Sequence, residues 1–102
     1  MTAMAARNHA SSVAIPCVLN RASLGDAEFV FVKLTGLVGA KTRVAWVPRK
    51  DVVVEEQPLL GEQLRGRLTV MIREEKRDSF LVTVVNGGSE ETLQVRKTQS
   101  NH

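Results

Sequence analysis

The sequence predicts an all-β domain, a small antiparallel barrel or sandwich of six to seven short strands. Three observations carry that expectation. Valine occurs 15 times, threonine seven times and isoleucine twice in 102 residues, a β-branched load that suits pleated strands better than helices. Apolar and polar residues alternate with period two along several segments, the spacing that gives a strand one buried and one wet face. Gly, Pro, Asn and Asp separate those segments at short intervals.

Residues 1–12 and 98–102 read as flexible tails, which leaves 13–97 as a single β domain. Val13 to Asn20 opens it, with Val13, Ile15, Cys17 and Leu19 on one face. Pro16 lacks a ladder donor and so predicts an edge position for this strand. Ser23 to Asp26 turns the chain. Ala27 to Leu34 is apolar on both faces and predicts a central strand covered on both sides. Gly36 to Ala40 is a loop, and Lys41 to Val47 returns as a strand. Its Trp46 shares a face with Val44 and is expected in the core. Pro48-Arg49-Lys50 interrupts, and Asp51 to Glu55 forms a short strand. Gln57 to Gln63, with Pro58 and Gly61, reads as a loop or a single helical turn.

The clearest alternation is Leu64 to Arg73. A charged turn follows at Glu74 to Asp78, then a strand at Ser79 to Asn86. Gly87-Gly88-Ser89 turns the chain again, and Thr92 to Lys97 closes the meander. Setting Ile72 opposite Phe80, Val70 opposite Val82, and Val84 opposite Leu93 makes every inner row apolar. The same register places Arg67, Thr69 and Met71 opposite Val85, Thr83 and Leu81 on the outer face.

Composition narrows the function classes. Hydrophobic residues make up 43% of the chain, enough for one modest core and too much for bulk disorder. No apolar run approaches the ~20 residues of a membrane helix. The N-terminus lacks the continuous apolar stretch of a secretory signal. One cysteine, Cys17, and two histidines near the chain ends, His9 and His102, predict no disulfide framework, no metal site and no cofactor. Cys17 faces the expected core without a histidine base, which is the setting of an inert thiol in a reducing, cytoplasmic compartment. The acid doublets Glu55-Glu56, Glu74-Glu75 and Glu90-Glu91 each point to opposite faces of a strand or sit at turns, so none forms a carboxylate pair. No catalytic residue is expected, and the protein is read as a non-enzyme.

Two surfaces remain as candidate binding sites. On the meander's outer face, Met71, Leu81 and Val85 form an apolar streak bordered by Arg65, Arg67, Arg73 and Arg96, with Arg67 and Arg96 as the candidate contact arginines. An apolar streak with an arginine rim predicts a protein contact, most simply a homodimer. The alternative is an OB-like or SH3-like nucleic-acid module. It rests on Arg43, Trp46, Arg49 and Lys50, where cations surround the only tryptophan and could hold phosphates beside a stacked base. The formal charge of +3 sits mostly in the first half of the chain, which suits the alternative. Trp46-Val47-Pro48 followed by Val52 resembles the tryptophan-proline strand of SH3-like modules over a short stretch. The chain has no tyrosine for the aromatic groove of those modules, and no family assignment follows from it.

Overall fold

The computed structural model describes residues 11–25, 27–39, 41–60 and 63–97. They form seven strands: β1 (Ser12–Asn20), β2 (Phe29–Leu34), β3 (Arg43–Pro48), β4 (Val52–Leu60), β5 (Gln63–Glu75), β6 (Ser79–Asn86) and β7 (Ser89–Arg96). One sheet contains them all, in the order β3-β2-β1-β5-β6-β7 with β4 joined to β5 off that path, and every strand pairing is antiparallel. The sheet curls into a half-barrel; the sandwich alternative does not hold. Ser12 belongs to β1, and the remainder of both expected tails lies outside the described residues apart from Ser11.

β5 organises the sheet because it is 13 residues long. One edge pairs with β1 from Gln63 to Met71. The other edge serves two partners in succession: β4 from Gln63 to Leu68, then β6 from Met71 to Glu75. A bulge between Ile72 and Glu74 bends the strand where it changes partner and adds to the local twist. Gly66 sits where β1, β4 and β5 crowd together. A β-carbon there would lie 3.0 Å from the Val53 carbonyl oxygen and 3.2 Å from Leu19 Cδ2, so no larger residue fits without displacing backbone.

The inner face is a continuous apolar core. Val13, Ile15, Cys17 and Leu19 come from β1, Val30, Val32 and Leu34 from β2, and Ala45 and Val47 from β3. Leu64, Leu68 and Val70 of β5 face Phe80, Val82 and Val84 of β6, with Val95 of β7. In β1, β5 and β6 these are the positions the period-two reading assigns inward; in β3 they are Ala45 and Val47, the face opposite to the expected Val44 and Trp46.

Four expectations need correction. The β5–β6 and β6–β7 registers each lie two residues from the expected ones, with Ile72 opposite Val82 and Val82 opposite Leu93. The cause of the second is the turn: Gly87 and Gly88 both have positive φ, 62° and 93°. That is a two-residue type I′ loop, which forces Asn86 opposite Ser89. β1 is not an edge strand. Its ladder with β2 is only Cys17–Leu34 and Val18–Lys33, and Pro16 lies just past it. The Pro16 carbonyl accepts from the Thr35 amide there at 3.4 Å, so the missing donor faces a point where the β2 ladder has ended. β2 is central but covered on one face only, since Phe29 and Phe31 are exposed. Finally, β4 runs on to Leu60 in place of a loop or helical turn, with register shifts on both sides of Pro58 that accommodate the proline.

Two seams tie the sheet's ends together. Leu37, between β2 and β3, bridges Val95, and the Val38 amide donates to the Gln94 carbonyl at 3.0 Å. At the other seam β3 and β6 run in the same direction. The Gly87 amide donates to the Trp46 carbonyl at 2.9 Å, and the Trp46 amide donates to Asn86 Oδ1 at 2.8 Å. Arg43 carries the closure on to β7, where Glu91 takes two bonds of 3.0 and 2.9 Å from its guanidinium. The guanidinium holds the Glu91 carboxyl below its ordinary range, with a smaller contribution from the Asn86 amide. A depressed carboxylate contributes stability above its unfolded pKa of about 4.3 and loses it as pH falls through the folded value. Glu91→Gln is therefore expected to lower the urea midpoint at neutral pH and to leave it less sensitive to acid than the wild type. Equal acid sensitivity in both proteins would show that this pair does not couple to folding.

Candidate functional site

The outer face of β2 and β3 concentrates the aromatic residues. The chain has three phenylalanines, one tryptophan and no tyrosine. Only Phe80 is in the core; Phe29, Phe31 and Trp46 lie together outside. β2 alternates Val30, Val32 and Leu34 inward with Phe29, Phe31 and Lys33 outward. β3 alternates Ala45 and Val47 inward with Val44, Trp46 and Pro48 outward. Register sets Phe31 beside Trp46 and Phe29 beside Pro48. The Phe31 and Trp46 ring centroids are 4.4 Å apart, and Phe29 stacks on Trp46 at 5.8 Å with an interplanar angle of 20°. Trp46 is thus half-buried on the outer face and is not a core residue. Phe31 remains 56% exposed and Val44 57%. The outer face of β2 and β3 therefore carries an exposed apolar patch built around three aromatic rings.

Cations border the cluster. Lys33 is exposed beside Val44, and it has no ion pair or side-chain hydrogen bond among the described residues. The 3₁₀ turn Arg49–Asp51 carries Arg49 and Lys50 past the other end. Arg49 Nη1 donates to the Val52 carbonyl at 2.8 Å and its amide to the Glu28 carbonyl at 2.8 Å, which fixes the turn. Glu28, Phe29, Pro48, Arg49 and Lys50 line an open cleft of about 550 Å³. Of the four residues proposed from sequence for nucleic acid, Arg49 and Lys50 line this cleft and Trp46 adjoins it by stacking on Phe29. Arg43 does not: Glu91 holds its guanidinium at the seam.

The second candidate set is more scattered. Met71 and Val85 are 58% and 44% exposed, and both line a notch of about 190 Å³ with Asp51 and Glu90 at its rim. Leu81 is half-buried, paired with Gln94. Arg96 lies opposite Ser79, near Leu81. Arg67 is displaced toward β4, opposite Val53, with Nη1 3.5 Å from the Ala14 carbonyl. The arginine rim is therefore interrupted and mixed with acids.

Phe29, Phe31 and Lys33 are the site residues that sequence reading missed. Their signal was present, because Lys33 shares parity with both phenylalanines and a lone charge marks the wet face of a strand. Burial pushes the Cys17 thiol up to about 12, opposed by nearby Arg67 and reinforced by Glu55, so it is protonated and unreactive at neutral pH. No cluster of metal-ligating side chains occurs among the described residues, and no helix there is long and apolar enough to cross a membrane. Comparison with protein-family models, with curated proteins and with solved structures finds no match.

Proposed function

We propose that the protein is a non-catalytic binding module that takes single-stranded nucleic acid on the outer face of β2 and β3. The observation that carries this reading is the exposed Phe29–Phe31–Trp46 cluster bordered by Lys33, Arg49 and Lys50. Aromatic faces stack bases without regard to sequence, and flanking cations hold the backbone. The topology supports it too. The circuit β1-β2-β3-β6-β5 returns to β1 through the Trp46 seam, giving a partly open five-strand barrel. OB-like barrels bind oligonucleotides on the face of their second and third strands. Duplex is disfavoured because its bases are stacked inside and cannot reach the rings. A reducing, cytoplasmic setting suits the free, buried Cys17. The direct test is titration of Trp46 fluorescence with a short oligothymidylate at low salt. Quenching in the micromolar range is expected, and no change up to about 100 μM, roughly the weak end of nonspecific affinities, would overturn the reading.

A second reading, self-association or contact with another protein, is favoured by one observation: Met71 and Val85 stay exposed beside the notch that the end of β3 and Asp51 form with β5 and β6. Leu81 and Val85 are the two diagonal neighbours of Met71 on either side of Thr83, with Arg96 and Arg67 further out. Burying this patch across a two-fold axis would give an isologous dimer. Leu81→Glu is then expected to yield a folded monomer from a wild-type dimer in sedimentation. A wild type that is monomeric at high concentration removes this reading.

A further inference from the structure

We infer that Asn86-Gly87 is a masked deamidation site, locked by the same seam that holds β3 and its aromatic residue against β6. The inference goes beyond the binding reading above and holds whatever the outer face takes. Of the four asparagines, at positions 8, 20, 86 and 101, only Asn86 precedes a glycine. Deamidation begins when the next residue's backbone nitrogen attacks the side-chain amide carbon. A β-carbon on that next residue stands in the way, and Gly87 has none. Gly87 is exposed at the tip of the β6–β7 hairpin, just past the Asn86–Ser89 pair.

The step is a cyclisation followed by hydrolysis. Hydroxide removes the Gly87 amide proton, the nitrogen bonds to Asn86 Cγ, and the Cγ–Nδ2 bond breaks to release ammonia. Water then opens the five-membered imide at either carbonyl. Breaking the new N–Cγ bond leaves aspartate. Breaking the original bond between the Asn86 carbonyl carbon and the Gly87 nitrogen leaves isoaspartate. The fold engages these atoms elsewhere. The Gly87 amide donates to the Trp46 carbonyl at 2.9 Å, and Asn86 Oδ1 accepts from the Trp46 amide at 2.8 Å. Asn86 Nδ2 donates to Glu91 Oε2 at 3.4 Å and to the Val44 carbonyl at 3.5 Å. Ring closure turns the nitrogen and the carboxamide toward each other and so breaks the bonds to β3. The Glu91 carboxylate alongside also opposes an amide anion at Gly87. The reaction therefore waits for local opening of the seam. Either product keeps the seam open. Aspartate sets a second carboxylate against Glu91 and has no donor for the Val44 carbonyl. Isoaspartate adds a methylene to the main chain and moves Gly87 out of line with Trp46.

The test incubates the full chain in warm, mildly alkaline buffer and follows Asn86 by peptide mapping, as the gain of one mass unit. Native wild type is expected to convert at least about tenfold more slowly than the same chain unfolded in guanidinium chloride, the protection given by a modest opening free energy. Arg43→Gln removes the neighbouring tie to Glu91 and should speed native conversion at least about threefold. Ile15→Val trims the core at β1, outside the seam, and should leave the rate unchanged. Converted protein should show faster hydrogen exchange at the Trp46 amide. Conversion as fast in the native as in the unfolded chain, or an Arg43→Gln rate no faster than that of Ile15→Val, would overturn the lock. Unchanged exchange at Trp46 after conversion would overturn its effect on β3.

Discussion

Phe80→Ala is expected to cost about 3–5 kcal/mol, the range for removing a fully buried phenylalanine and leaving its cavity. Phe80 is 1% exposed and is the largest of the fully enclosed side chains. It stands on β6 opposite Val95, between the apolar faces of three strands. A domain of this length has a total stability of roughly 5–15 kcal/mol, so the variant should lose at least about a fifth of it and as much as nearly all. Phe31→Ala makes the comparison sharp. Phe31 is 56% exposed, so its loss should change stability by less than about 1 kcal/mol while removing one of the two ring contacts of Trp46. Leu68→Ala, at 2% exposure, belongs with Phe80 at about 2–5 kcal/mol. Lys76→Ala in the β5–β6 turn should stay within about 0.5 kcal/mol. Urea midpoints followed by circular dichroism rank the four, and a larger loss for Phe31 than for Phe80 would invert the assignment of inner and outer faces.

The same two faces show what a sequence of this kind makes legible. Parity was readable everywhere that polar and apolar residues alternate, so the inner rows of β1, β5 and β6 are where the pattern puts them. Absolute register was not readable from pattern. A slip of two residues keeps every apolar side chain inside, and two such registers differ only in the loop that each demands. Gly87 and Gly88 decide between them, because two consecutive positive φ values make a two-residue turn. β2 was misread because Phe29 and Phe31 look like core when counted as apolar. The decisive residue is Lys33, one step further along the same face. Trp46 was misread with Val44 for the same reason, and both belong to the patch that the fold leaves open. Pro16 pointed to an edge and was right only locally, since its donorless side faces the short end of the β1–β2 ladder.

Binding to a short single strand should fall steeply with salt, and the slope should report the cations by number. Each phosphate contact on a single strand contributes roughly 0.7 log unit of affinity per log unit of salt. Lys33, Arg49 and Lys50 border the aromatic cluster, so three contacts would lower affinity by about twentyfold between roughly 50 and 200 mM salt. Lys33→Gln and Lys50→Gln should each reduce the slope by about 0.7 without disturbing the fold, because neither side chain has an ion pair among the described residues. Arg49 is a poorer choice, since its guanidinium holds the Val52 carbonyl and its loss would move the turn. Arg43→Gln should leave the slope unchanged and lower stability instead, because that charge is spent on Glu91. Trp46→Ala should cost a further 1–3 kcal/mol of binding, roughly the value of one stacked base. The seam should survive it, because Asn86 and Gly87 bond to the Trp46 backbone and not to its indole. A slope that responds to Arg43 and ignores Lys33 and Lys50 would place the ligand at the β3–β7 end of the barrel, away from the aromatic face, and would overturn the site.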